Sequence, residues 1–392
     1  MEASSFMSNV SFIWEIGVPF LVALSVLVFV HELGHYLVAR WNGVRIEVFS
    51  IGFGTELKGW TDRHGTRWKI CAIPLGGYVK MFGESETVAD ERTKDQRPLT
   101  PEEIAVSFHH KSIGQRAAIV VAGPLVNYIF AIVAFAILFM AVGMPKTDTT
   151  APLPAVIGSI EPKSAADQAG LKVGDRIVAA GDEKIALFSD LQRIVRSNPG
   201  TSLALTLVRG GAEMRVDVVP ATRESKDRAG AKVTQGQLGV SADPGPIEYV
   251  RQAPHQAVWL GMERTYVVTV RILAYIRDVV VGTQSAEEVG GILRIAQMSG
   301  QVAELGIANY VTFLAVLSIN LGLINLFPVP LLDGGHLAFY IIEAIRGRPL
   351  GARAQEYGFR VGLALVLALF LFATWNDLVH LKFFEFIANL LT

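Results

Sequence analysis

His31-Glu32-Leu33-Gly34-His35 is the segment of this 392-residue chain with the clearest chemical content. On a helix, positions i and i+4 share a face one turn apart, so His31 and His35 can ligate one Zn²⁺ while Glu32 reaches a water on it as general base. Such spacing recurs by chance in soluble helices, but here it closes the apolar run PFLVALSVLVFV, where an uncompensated carboxylate is expensive. With a single cysteine, Cys71, the chain has no thiolate set to offer, so a metal must be held by histidines and carboxylates.

A catalytic zinc takes three protein ligands and keeps one position for water, so a third donor must come from elsewhere. Asp333 is the leading candidate, in the stretch Asn325-Leu-Phe-Pro-Val-Pro-Leu-Leu-Asp-Gly-Gly-His336. Its prolines stop an apolar span and its glycines allow close backbone approach. Two alternatives stay open: Asp333 as the N-cap of a helix-like stretch through Ile345, and His336 as the ligand instead. His64, His109, His110, His255 and His380 are isolated and read as solvated or structural.

The elements that must position these groups are hydrophobic. A 51% hydrophobic content is too high for an ordinary soluble enzyme of this size. Apolar segments beginning near Val18, Ala117, Tyr310 and Tyr357 approach the roughly 20 residues that cross a bilayer. The first, Val18 to Arg40, lacks the basic n-region and A-x-A site of a secretory signal. The second, Ala117 to Val142, carries Gly123, Pro124 and Asn127, which belong inside a bundle. No Lys or Arg precedes Arg40, whereas Arg40, Arg45, Lys58, Arg63, Arg67, Lys69, Lys111 and Arg116 crowd the segment between the first two spans. That segment is therefore expected to be cytoplasmic and both termini to lie outside. Gln256 to Gly282 is apolar but carries Glu263, Arg264, Arg271, Arg277 and Asp278, and reads as an amphipathic interfacial helix. A fifth span would also carry the Asp333 loop to the side opposite His35. The net charge of −1 and the lack of a basic run interleaved with aromatics exclude nucleic acid as a partner.

Between Pro154 and Pro244 the pattern turns to short strands, with Gly210-Gly211 as a hairpin turn and Leu187 to Arg196 as an amphipathic helix. Ser164, Ala169, Gly170, Leu171, Gly174, Asp175 and Ile177 give this region a resemblance to a PDZ domain of the bacterial, circularly permuted type. Such domains add an extended peptide to a sheet edge, with Gln237-Leu238-Gly239-Val240 in the position of a carboxylate-binding loop. The alternative is a steric plug that binds no peptide. Separately, the alternation from Trp68 to Phe82 around Gly76-Gly77-Tyr78 can supply a strand edge for an extended substrate, or be an ordinary hairpin.

HELGH, IPLGGYVKMFGE at 73–84, AGPLVNYIF at 122–130, the PDZ-like region and NLFPVPLLDGGH, in that order, resemble the site-2 protease family in its bacterial regulator-of-sigma-E protease branch. The resemblance covers nearly the whole chain. It implies an α-helical membrane protein with four transmembrane helices, a membrane-associated β-loop and one inserted α+β PDZ-like domain. The expected divisions are 1–150 for the first part of the membrane core, 151–245 for a periplasmic PDZ-like domain, 246–308 for the interfacial helix region and 309–392 for the rest of the core. The implied function is zinc-dependent intramembrane proteolysis in the bacterial inner membrane, with the active site near the cytoplasmic side. Its substrates would be transmembrane segments of single-span proteins of anti-sigma-factor type, or remnant signal peptides, and its partners would include membrane lipid and a peptide ligand of the PDZ-like domain. Asn127 resembles the family's second-span asparagine and Asn325 precedes the proline turn; with Gly76, Gly77 and Tyr78 they are the candidate substrate-binding residues, although either asparagine can equally pack between helices. One departure stands out: well-known members carry two tandem PDZ domains, and Pro154 to Pro244 has room for one.

Overall fold

A computed structural model of the chain describes residues 13–84, 98–145, 153–226, 232–243, 249–284 and 290–380. The chain divides into two compact units, Met1–Gly143 with Arg251–Thr392, and Met144–Val250. Both termini, expected on one side of a membrane, lie outside the described residues.

The first unit begins with α1 (Val18–Trp41), β1 (Ile46–Thr61), β2 (Arg67–Met81) and α2 (Ile113–Ala141). The second unit holds β3 (Ile157–Ile160), β4 (Arg176–Ala180), β5 (Glu183–Lys184), α3 (Phe188–Ser197), β6 (Leu203–Arg209), β7 (Ala212–Val218) and β8 (Val240–Ala242). The first unit then resumes with α4 (Pro254–Val281), α5 (Ile292–Glu304), α6 (Ile307–Asn325), α7 (Asp333–Arg346) and α8 (Ala352–His380).

Four helices among the described residues are long and apolar enough to cross a membrane: Trp14–Trp41, Ile113–Ala141, Ile307–Asn325 and Arg353–Val379. They contain or coincide with α1, α2, α6 and α8. Ser112 starts α2 with a capping box shared with Gln115, satisfying two end groups that an apolar sequence cannot. Small residues then let neighbours close on α2. Ala131, Ala134 and Phe135 bury against Val268 of α4 and Ala315 and Ile319 of α6.

The charged stretch expected as an interfacial helix is the 28-residue α4, ended by Gly282 in the left-handed region. Its buried face is Ala257, Gly261, Thr265 and Val268, and a Cβ on Gly261 would meet the Ile132 carbonyl of α2 at 2.7 Å. α4 is not one of the four apolar spans, but it lies packed along one of them.

β1 and β2 form an antiparallel pair so bent that 46–51 pairs with both 67–70 and 77–81, while 56–61 pairs with 67–71. Among the described residues, 77–81 pairs only with 46–51, which leaves it one free edge. Asp62 ties the hairpin end to α1. It accepts from the Tyr36 hydroxyl, the Trp68 indole and the His64 and Thr66 amides, which together hold its carboxyl down at about 2 against the upward push of burial.

In the second unit the antiparallel order is β5-β4-β6-β7, with β3 pairing β8. Gly210 and Gly211, at φ 57° and 87°, make the tight turn between β6 and β7 that the Gly-Gly pair led one to expect. α3 buries Phe188, Leu191, Ile194 and Val195 against Ile177, Leu205 and Leu207. Asp175, 1% exposed, is held by a two-pronged pair with Arg209.

Candidate metal centre

α1 presents His31 and His35 on one face, and the α6–α7 loop brings Asp333 to them. His31 Nε2 lies 3.2 Å and His35 Nε2 3.6 Å from Asp333 Oδ2, and the two Nε2 atoms are 3.3 Å apart. Asp333 Oδ2 is buried yet has no hydrogen-bond partner. Two imidazole nitrogens and a carboxylate oxygen thus converge as possible electron-pair donors, all within 4.8 Å of one another. This N₂O donor set suits a four-coordinate zinc with one open position. Burial pushes the Asp333 carboxyl up, but the two imidazoles outweigh it and hold it well below the usual carboxylate range.

The convergence depends on glycines at helix contacts. A Cβ on Gly34 would strike the Ala122 carbonyl, and one on Gly123 would strike the rings of His35 and His31. HELGH and AGP are therefore two halves of one contact. On the other side, Gly334 and Gly335 sit directly under the carbonyls of Leu326, Phe327 and Val329. Leu331 takes φ 110°, a strained conformation held by this folded-over loop. Asp333 is the first residue of α7 and Leu332 is its N-cap, so Asp333 is not the cap that one alternative supposed. His336 lines the same cavity but is not part of the converging trio.

Around the trio, His35 Nδ1 lies 2.9 Å from the Ile119 carbonyl; a carbonyl only accepts, so Nδ1 carries a proton and the neutral ring has its lone pair on Nε2. Asn127, 0% exposed, meets His31 Nδ1 at 3.0 Å. Glu32 accepts a hydrogen bond from the Val79 amide at the free edge of β2, and a Cβ on Gly77 would meet Glu32 Cγ. α7 is anchored to α2 by Arg116 and Glu343, 2.6 Å apart, with the guanidinium over the Tyr340 ring.

A cavity of about 250 Å³ beside the trio is lined also by Tyr78, Glu84, His109, His336 and Tyr340. Burial pushes the Glu84 carboxyl up and the Tyr340 phenol up to about 12. Of the candidate substrate-binding residues, Tyr78 lines this cavity, Gly77 backs Glu32, and Gly76 at φ 105° lies against the Phe53 ring. Asn325 is the last residue of α6, half-buried, and no hydrogen bond among the described residues joins it to the trio. The sequence missed the Ile119 carbonyl and the Val79 amide, because backbone groups carry no residue-type signal. It also passed over Glu84, although IPLGGYVKMFGE ends on it. In the second unit, Gln237, Leu238, Gly239 and Val240 line a cavity of about 420 Å³ with Arg196 and Arg223 at its polar margin.

The model of Peptidase family M50 matches residues 19–369. A putative zinc metalloprotease of Agrobacterium fabrum is 45% identical over 380 residues, covering 96% of this chain and 99% of its own. Metalloprotease MmpA of Caulobacter vibrioides is 36% identical over 397 residues, covering 96% and 98%. Regulator of sigma-E protease RseP of Escherichia coli is 34% identical, covering 95% of this chain and 100% of its own. That last alignment runs over 465 positions, more than this chain's 392 residues, so dozens of positions in RseP have no counterpart here.

Proposed function

The chain belongs to peptidase family M50, the site-2 proteases, and on that premise we propose that it cuts transmembrane segments of single-span membrane proteins, using a zinc ion held by His31, His35 and Asp333. The observation that carries this reading is the convergence of three potential ligand atoms, two imidazole nitrogens and a carboxylate oxygen, on the face of an apolar helix. The chain is a zinc metalloendopeptidase, and relatives of Agrobacterium and Rhizobium are named for the same metal. When bound, zinc supplies Lewis acidity that polarises the scissile carbonyl and acidifies water.

The chain's own groups divide the remaining work. Glu32 takes a proton from the attacking water and returns it to the leaving amine, and the Val79 amide holds its carboxylate in place. A substrate helix shields its carbonyls in its own hydrogen bonds, so it must unwind to be cut. The edge at 77–81, beside Glu32, has no strand partner beyond β1 among the described residues. Its Val79 and Met81 amides already donate to Glu32 and Glu84, so an extended strand would pair with the groups that remain, and Tyr78 bounds the cavity where the scissile bond would lie. Asn325 belongs to the same substrate path in this reading.

The charge asymmetry of the sequence supports a bacterial inner-membrane protein with the β1–β2 hairpin and active site toward the cytoplasm, and with both termini and the PDZ-like unit in the periplasm. Substrates would be of anti-sigma-factor type or remnant signal peptides. The PDZ-like unit either binds an extended peptide at its Gln237–Val240 cavity or restricts entry by bulk.

Purified protein incubated with a single-span reporter tests the assignment. Glu32→Gln should keep its zinc and lose about 10²- to 10⁴-fold in cleavage rate. Asp333→Asn should lose zinc and activity together. Wild-type cleavage by Glu32→Gln would refute the base, and normal zinc in Asp333→Asn would refute the third ligand.

A further inference from the structure

The two histidine ligands are held differently. His35 Nδ1 faces a backbone carbonyl, so its tautomer is fixed with Nε2 free. His31 Nδ1 faces the carboxamide of Asn127, which can offer either an N–H or a carbonyl oxygen. With the Asn127 N–H toward Nδ1, the neutral imidazole must carry its proton on Nε2, the atom facing Asp333 and His35, and has no lone pair there for a metal. With the oxygen toward Nδ1, the proton sits on Nδ1 and Nε2 is free.

A second contact bears on this choice. With Asn127 Nδ2 toward His31 Nδ1, Ser318 of α6, 0% exposed, donates to Oδ1 of the same carboxamide at 3.3 Å and to the Asn127 backbone carbonyl at 3.0 Å. Once the carboxamide is turned so that Oδ1 accepts from His31 Nδ1–H, its N–H donates to Ser318 Oγ, and Ser318 donates its own proton to the Asn127 carbonyl. His31 Nδ1, both heteroatoms of the carboxamide, the serine hydroxyl and the backbone carbonyl then each have a partner. Asn127 and Ser318 are fully buried at the junction of α1, α2 and α6, so that closure matters, because an unpaired donor there has no water to fall back on.

We propose that Asn127 and Ser318 are positioning residues that select the zinc-binding tautomer of His31, so that metal binding and a half-turn of the Asn127 carboxamide are one event. The inference rests on the zinc reading of the trio. It moves Asn127 from the substrate to the metal, and it makes α6 a participant in holding a ligand carried by α1.

The test is zinc affinity, measured on full-length apo-protein in detergent by competition with a chromogenic chelator, with cleavage of the single-span reporter measured in parallel. Asn127→Leu should weaken zinc binding by about 10- to 100-fold, as loss of an outer partner does for other histidine ligands. Asn127→Asp, which can only accept, should bind zinc at least as tightly as wild type. Ser318→Ala, a small change with little risk to folding, should weaken binding by a few fold and speed zinc release. Asn127→Asp as weak as Asn127→Leu, or Ser318→Ala with wild-type affinity and release, overturns the proposal. So does Asn127→Leu with normal zinc and only a raised KM, which would return Asn127 to the substrate. Wild-type protein that takes up no zinc would overturn the zinc reading itself, a result distinct from all of these.

Discussion

α2 and α8 are each 29 residues long and each apolar enough to cross a membrane, yet 33% of the α2 span is buried inside the protein and only 6% of the α8 span. The difference lies in residue size and polarity. α2 buries Gly123, Pro124, Asn127, Ala131, Ala134 and Ala136, whereas α8 exposes Leu363, Leu365, Leu367, Leu369, Phe370 and Leu371. In lipid a leucine gains little by exchanging an acyl chain for a neighbouring helix, so small residues and buried hydrogen bonds decide which helices meet. α8 touches the rest of its unit where it meets that rule: Gly362 sits against the Pro330 carbonyl, and Asp377 accepts from the Gly291 and Leu293 amides at the start of α5.

The sharpest way to break this contrast is Gly123→Leu. The new side chain must displace the His35 ring, so zinc should be lost and cleavage should fall by at least about 10²-fold. Retained zinc would mean that α2 does not press on the site. Next in size is a comparison of ion pairs. Arg116 and Glu343 are 10% and 14% exposed, while Arg360 and Glu356 on α8 are 67% and 61% exposed. Glu343→Gln should cost about 3 kcal/mol in thermal unfolding, because it strands a buried guanidinium, whereas Glu356→Gln should stay within about 0.5 kcal/mol. Equal losses would erase the distinction. The smallest effects come from core truncation. Phe135→Ala in α2 should cost about 2 kcal/mol, the cavity contribution without a water-transfer one, and Leu367→Ala in α8 should be nearly silent.

Much of the site was legible because its chemistry is local. His31 and His35 need only a helix to share a face, with Glu32 at the adjoining position, and the prolines and glycines around Asp333 announce a tight loop whatever the fold. The spans were legible because hydropathy is additive along a chain. The packing of α4 was not, because Glu263, Arg264, Arg271, Arg277 and Asp278 mask the small-residue face, Ala257, Gly261 and Thr265, that seats it on α2. The hairpin was half legible: alternation marked the second strand, but nothing local indicated that 46–51 would sit between two other segments. Asn127 was marked as a polar residue inside a span, but its contact with His31 was not legible, because the two lie 96 positions apart.

By itself the sequence determined a helix with two histidines one turn apart, four apolar spans, an inserted strand-rich region and a family, since each of these follows from periodicity, composition or motif order. The tertiary structure alone decided that Asp333 and not His336 joins the two histidines, that Val79 lends its amide to Glu32, and that Asn127 lies between Ser318 and His31. Those outcomes depend on how closely α1, α2 and α6 approach, and that distance is set by which small residues happen to face one another across three separate helices.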